Sequence, residues 1–297
     1  MKKYSLNGEK FASSENALID HRFEVTGLLK PGKNTLAVDL RSPMLCAASK
    51  SVDAYCTICR NEFLRLRKAP SCHGWDIMPR TLSAGLWRDV DLEIEGNNEF
   101  DSLFLATRAL EKDAAVVTCA FRFRTDAPCY DGLSLRLTGT VEGEPGFVEE
   151  RSLRFVAGRF DFTVKNPKLW WLYGYGPANV YDVRAEILRG GRVLAALDTQ
   201  LGIRTVKLER TDITDSYQSE FYFHVNGEKI LCKGSDWVPA DALHGRDASR
   251  YERMLSLWTD TGSNILRCWG GNVYEDHPFY DYYDRHGIMI WKQSRAL

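Results

Sequence analysis

The chain has 297 residues, 44% hydrophobic, 12% aromatic and 27% charged, which is ordinary for a globular protein of two or more domains. Its 39 Lys and Arg against 40 Asp and Glu leave a net charge of −1, so it has no electrostatic footprint for nucleic acid or anionic membrane. No stretch approaches the roughly 18 apolar residues of a membrane span, and Met1-Lys-Lys-Tyr-Ser-Leu6 lacks the apolar core of a signal peptide, so a cytoplasmic location is expected.

Three regions are expected along the chain. Residues 1–98 carry short alternating runs such as Arg22–Val25 and Thr35–Leu40, separated by turn signals at Asn7-Gly8 and Lys30–Asn34. A short helix is expected between Pro43 and Arg67, and Trp87–Ile94 alternates like a strand. Residues 99–205 continue the all-β pattern, most clearly at Val116–Phe123, Leu133–Leu137 and Tyr181–Leu188. That spacing favours an immunoglobulin-like sandwich.

Residues 206–297 read differently. Phe221–Cys232 is a hairpin turning at Asn226-Gly227. Ser249-x-x-Glu252 reads as a capping box opening a helix. Tyr251, Met254, Leu255 and Trp258 fall on one face of it, and Gly262 ends it. Strand Asn264–Cys268, a helix from Pro278 to Gly287 and strand Ile288–Trp291 follow. With Ile230–Lys233 these make three parallel strands in strand–helix alternation, as in α/β folds. Trp237, Trp269 and Trp291 close three such strands. A barrel collects its active site at that rim.

The 8 cysteines include Cys56-x-x-Cys59 and Cys72-His73. The spacing does not suit a tight four-ligand zinc site, so no metal is expected. Scattered buried thiols, reduced in the cell, are the expectation.

Three motif sets carry a family resemblance. Val225-Asn-Gly, Lys233–Asp241, Asn264–Gly271 and Gly287–Trp291 resemble the opening of the catalytic barrel of glycoside hydrolase family 2, and most of all its β-mannosidases. Phe23–Leu36 and the Gly74-Trp75-Asp76 loop with Ala84–Arg88 resemble the family's sugar-binding, jelly-roll-like sandwich. Asn166–Trp171 with Gly174-Tyr-Gly176 resembles its immunoglobulin-like domain. The resemblance implies a mainly β, multidomain chain: a partial sugar-binding sandwich, an immunoglobulin-like sandwich and the first three β/α units of a (β/α)8 barrel.

It also implies a retaining exo-β-mannosidase acting on terminal β-mannosides of oligosaccharides, with no cofactor. Its two glutamates would lie about 5–5.5 Å apart. In the family both come from later barrel strands, so the chain is expected to be a truncated fragment that carries neither and is inactive alone. A non-catalytic carbohydrate-binding scaffold and a related family 2 β-glycosidase are the alternatives. The implied substrate-binding residues are Trp75, Asp76, Arg267 and Trp269. Asp76 would accept hydrogen bonds from sugar hydroxyls, Trp269 would offer an apolar face, and Arg267 would orient carboxylates. On spacing alone the same residues also suit a loop cap, core aromatics and a structural ion pair.

Three departures from the family stand out. Ile77-Met78-Pro79 follows Asp76 where the family has Trp-Gly-Pro, Asn272 replaces a glycine, and Lys292-Gln293-Ser294 replaces Gln-Asp-Phe. Glu275-Asp276 is read as the acidic start of a helix, not as a catalytic pair. The open edge of Ile288–Trp291 predicts that residues from about 206 onward are loosely held.

Overall fold

A computed structural model describes residues 2–50, 65–75, 78–210 and 220–292. The first sheet has the order β2-β1-β3, with β1 Lys2–Leu6, β2 Glu9–Ser14 and β3 Leu36–Leu40, all antiparallel. Asn7 and Gly8 both take positive φ, 53° and 86°, as a two-residue hairpin turn requires. The expected short helix is α1, Pro43–Ala48.

Two expected strands are absent from this region. Arg22–Val25 runs without a ladder into a turn at Thr26–Leu28. Trp87–Ile94 is also unpaired, and its apolar set Val90, Leu92 and Ile94 is exposed. Alternation makes an amphipathic ribbon, but a strand needs a partner, and no described residue pairs with this one.

Seven strands then form an immunoglobulin-like sandwich: β4 Glu99–Leu110, β5 Ala114–Arg124, β6 Leu133–Val141, β7 Glu144–Ser152, β8 Ala157–Lys165, β9 Tyr181–Arg189 and β10 Arg192–Leu201. One sheet is β4-β5-β8 and the other β10-β9-β6-β7. Every second residue of β6 is buried, so Leu133, Leu135, Leu137 and Val141 meet Val117, Cys119 and Phe162 between the sheets.

A further antiparallel sheet, β11-β12-β13, contains β11 Val206–Arg210, β12 Phe221–Val225 and β13 Glu228–Ile230. The expected hairpin turns at Asn226-Gly227, both at positive φ. Three parallel strands follow: β14 Gly234–Trp237, β15 Ile265–Cys268 and β16 Met289–Lys292. Helices α2 Ala248–Asp260 and α3 His277–His286 connect them. The first parallel strand is Gly234–Trp237, not Ile230–Lys233 as expected. Ile230 finishes the hairpin, and Gly234 comes so close to β15 that a Cβ there would lie 1.8 Å from the Ile265 carbonyl oxygen.

Register sets the two faces of this sheet. Trp237, Cys268 and Lys292 share one row and lie on the same face as Leu266 and Ile290. That face packs on Tyr251 and Leu255 of α2 and on Phe279 and Tyr283 of α3. The opposite face carries Ile265 and Met289, which join Val225 and Ile230 of the hairpin and Trp170 and Leu172 of the sandwich in one cluster. Beyond them on that face come Asp236, Arg267 and Trp291, nearer the C-terminal strand ends. Ile288, just before β16, and Met289 are buried, while Trp291 stays half exposed against Phe221.

The predicted capping box is not formed. α2 starts at Ala248, so Ser249 lies inside it and its hydroxyl donates back to the Arg246 carbonyl. The expected apolar stripe holds: Tyr251 and Leu255 are buried, and Met254 and Trp258 pack beside them. Gly287 ends α3 at φ 70°, and a Cβ there would lie 2.7 Å from the Trp171 carbonyl oxygen.

Candidate functional site

The Pro70–His73 turn buries Ser71, Cys72 and His73. Gly74, at φ 95°, then swings the chain outward. Trp75 leaves the surface 56% exposed and exchanges two backbone hydrogen bonds with Met78. These two residues flank Asp76 and Ile77, which lie outside the described residues. The expected role of Asp76 is therefore untested by the geometry.

Trp269 follows the last residue of β15. Its ring lies over Gly271, where a Cβ would sit 2.0 Å from it. The Trp75 and Trp269 rings meet with centroids 5.1 Å apart and planes tilted by 33°. The two loops are also tied through the backbone, because the Ser71 N–H donates to the Gly271 carbonyl at 3.0 Å. Two of the four expected binding residues thus touch, although nearly 200 positions separate them in sequence.

Arg267 projects from the face opposite the helices. Its guanidinium donates to Asp236 on the neighbouring strand at 2.8 Å, and both side chains remain accessible. Asp236 occupies the same register row as Arg267 and Trp291. Sequence reading missed Asp236, although a residue directly before Trp237 at a strand end is a signal for that face.

The three strand-end tryptophans do not share a rim, contrary to expectation. Trp237 is buried among the helices, because its register row faces them. Trp291 lies on the inner face, stacked on Phe221 at 6.0 Å. Only Trp269 reaches the rim, where Trp75 supplies the second ring.

Glu275 and Asp276 part company. Glu275 is 8% exposed and accepts hydrogen bonds from Trp237 Nε1 at 2.8 Å, Tyr251 Oη at 2.5 Å and Asn272 Nδ2 at 2.8 Å. Burial pushes its carboxyl above the usual range, and the bonds from Tyr251 and Trp237 offset part of that. Asp276 precedes α3 with an extended backbone and pairs with Arg88 at 2.5 Å, without a side-chain cap bond to the helix. The helix-start reading therefore fits Asp276 by position but not Glu275, which is a buried acceptor.

The N-terminal region docks through a second contact. Arg88 donates to the Tyr274 carbonyl and lies over the Trp87 ring, and Trp87 packs edge-on against His244. His244 and Asp247 are buried together, Nδ1 to Oδ2 at 3.1 Å, and His244 Nε2 is 3.3 Å from Ser71 Oγ. Sequence reading missed this pair. Its partners in the Pro70–His73 turn are too remote in sequence for any local pattern to show them.

Among the described cysteines Cys72, Cys119 and Cys268 are buried, whereas Cys129 and Cys232 are exposed, so the expectation of buried thiols holds for some of them only. Cys56 and Cys59 lie outside the described residues. Among the described residues no helix is long and apolar enough to cross a membrane.

Residues 3–88 match the family model described as "Glycosyl hydrolase 2 galactose-binding domain-like". Residues 100–204 match the one described as "Glycosyl hydrolases family 2". The chain belongs to glycoside hydrolase family 2. Among curated family 2 relatives, β-mannosidase B of Thermothelomyces thermophilus is 31% identical over 97% of this chain and 34% of its own length. β-Mannosidase B of Neosartorya fischeri is 31% identical over 98% of this chain and 35% of its own length. The crystal structure of β-D-mannosidase from Dictyoglomus thermophilum superposes with a TM-score of 0.84 at 28% identity, covering 98% of this chain and 36% of that one. An Amycolatopsis orientalis exo-chitosanase, at 22% identity and a TM-score of 0.66, shares the fold. The chain spans about a third of the length of the curated relatives it matches.

Proposed function

We propose that the chain supplies the sugar-binding sandwich (1–98), the immunoglobulin-like sandwich (99–205) and the opening β/α units (206–297) of a retaining exo-β-mannosidase. The substrate would be an oligosaccharide with a terminal β-D-mannose. The contact between Trp75 and Trp269 carries this reading. It joins the sandwich loop to the barrel-side rim and exposes aromatic surface beside the C-terminal strand ends, where barrel enzymes bind substrate. Aromatic faces suit the apolar C–H side of a sugar ring. Asp76 would accept hydrogen bonds from the hydroxyls, because bonds to a carboxylate are the stronger kind. Arg267, already oriented by Asp236, would hold carboxylates brought in by further strands.

Hydrolysis with retention needs an acid/base and a nucleophile on either side of the scissile bond. Glu275 fills neither role, being enclosed by its three donors. The 297-residue polypeptide should release no chromophore above buffer from a chromogenic β-mannoside. Turnover abolished by Glu275→Gln would show that the chain carries its own catalytic carboxylate and overturn this assignment.

A further inference from the structure

The buried group at the junction of sandwich and barrel has the connectivity of a nucleophile–base–acid triad. Ser71 Oγ lies 3.3 Å from His244 Nε2, and His244 Nδ1 lies 3.1 Å from Asp247 Oδ2. Ser71 is 1% exposed, however, which leaves no approach for a substrate. The group also has a mechanical arrangement. Asp247 Oδ1 accepts the Asp241 N–H at 2.7 Å, so this one carboxylate fixes both the loop before α2 and the imidazole. The imidazole in turn holds the Pro70–His73 turn, two residues ahead of Trp75.

We propose that His244, anchored by Asp247, is a positioning residue that clips the Pro70–Trp75 loop to the barrel side and so sets the Trp75–Trp269 pair. The proposal rests on the reading of that pair as a sugar platform. The clip works best with a charged imidazole, which donates from both nitrogens, to Asp247 and to Ser71. The groups facing His244 are Asp247, the Cys72 thiol, the Ser71 hydroxyl, the Trp87 ring and, at longer range, Glu275. Burial works against the charge, but the hydrogen bonds and charges of Asp247 and Cys72 hold the His244 pKa up at about 9. Burial likewise raises the Cys72 thiol, yet His244 and the Lys68 charge bring it below its ordinary value. A histidine whose folded pKa is raised contributes fully below its unfolded value and loses that contribution as pH rises through the folded one. Above that value the neutral imidazole keeps its bond to Asp247 and can still accept the Ser71 hydroxyl, but it loses the charge that strengthens both contacts, so the clip should loosen across a window centred near 9.

Two indoles this close give an exciton couplet in circular dichroism, which reports their mutual geometry without any sugar. Trp75→Phe and Trp269→Phe assign the couplet by abolishing it. In the unaltered chain it should be full at neutral pH and weaken with a midpoint near 9 while the backbone signal persists. His244→Gln, which keeps a donor but no charge, should remove the pH dependence. Cys72→Ser should keep the transition and move it to lower pH. The proposal fails if the unaltered chain shows no couplet at neutral pH or keeps it unchanged through the alkaline window. It fails equally if a folded His244→Ala retains the couplet, or if Cys72→Ser abolishes the transition. Should His244→Ala not fold, the titration of the unaltered chain still decides. A normal couplet with no mannose binding would leave the clip standing and remove the sugar-platform reading alone.

Discussion

Replacing Glu275 by alanine is expected to destabilise the chain by about 3–5 kcal/mol, because buried donors that lose their acceptor cost roughly 1–3 kcal/mol each. Trp237 Nε1 and Tyr251 Oη both point at this carboxylate from buried positions, and Asn272 adds a third bond. Trp237, Tyr251 and Asn272 are all buried, so their donors have few other partners to turn to. Glu275→Gln should cost far less. Its carbonyl still accepts from Trp237 and Asn272, while its amide faces Tyr251 Oη, which can accept. The pH behaviour separates the two substitutions further. Burial raises the Glu275 carboxyl, so the folded state holds its proton more tightly than the unfolded state. Stability from this residue is then greatest below the ordinary carboxylate pKa and falls as pH rises through the folded value. Glu275→Gln should flatten that fall. Urea unfolding across the acid to neutral range checks both points. A Glu275→Ala chain within about 1 kcal/mol of the original would show that the network contributes little.

Trp170→Ala should cost a similar amount, about 3–5 kcal/mol for a buried tryptophan, but with a different pattern of damage. Trp170 has no exposed surface and sits where the sandwich, the β12–β13 hairpin and the parallel strands meet. Its indole N–H donates to the Asp284 carbonyl at 2.6 Å, and the Arg204 guanidinium covers its ring at 4.3 Å. Arg204 is half-buried, and its pKa is lowered chiefly by burial, so removing the ring leaves its charge beside a cavity. The sandwich core itself is made of other residues and should survive. Limited proteolysis should therefore trim the region from about 206 onward, in Trp170→Ala faster than in the unaltered chain, and leave a core containing 99–205. Equal cleavage rates would show that the junction is held by other contacts.

Much of this architecture was legible in the sequence. The alternation of Val116–Phe123, Leu133–Leu137 and Tyr181–Leu188 maps onto β5, β6 and β9 because one face of each is fully buried. The stripe of α2 and the glycine end of α3 were visible for the same reason, that local chemistry and burial agree. Where they part, reading failed. Trp87–Ile94 has a strand's pattern without a partner. Trp237 has the position of a pocket residue, but its register turns it toward the helices. Ser249 and Glu252 have the spacing of a cap, but Asp247 occupies the start of α2.

The candidate site was legible through resemblance alone. Nothing in the local surroundings of Trp75 announces Trp269, and only the folded chain brings the two rings together. Asp236 and the His244–Asp247 pair were missed because their meaning lies in cross-strand register and in a turn more than 170 positions away.

We propose that the paired rings of Trp75 and Trp269 are one wall of a mannose site, to which Asp76 adds a carboxylate. Tryptophan fluorescence titrated with mannose and methyl β-mannoside, paired with saturation-transfer NMR, tests it most directly. A single wall buries only part of a ligand, whereas full sites bury about 70–90% of it, so saturation is expected no lower than on the order of millimolar. The sugar signal should be lost on Trp269→Ala and on Asp76→Ala. Micromolar binding that survives both substitutions, or no contact with mannose at any concentration, would show that these residues do not form a mannose site.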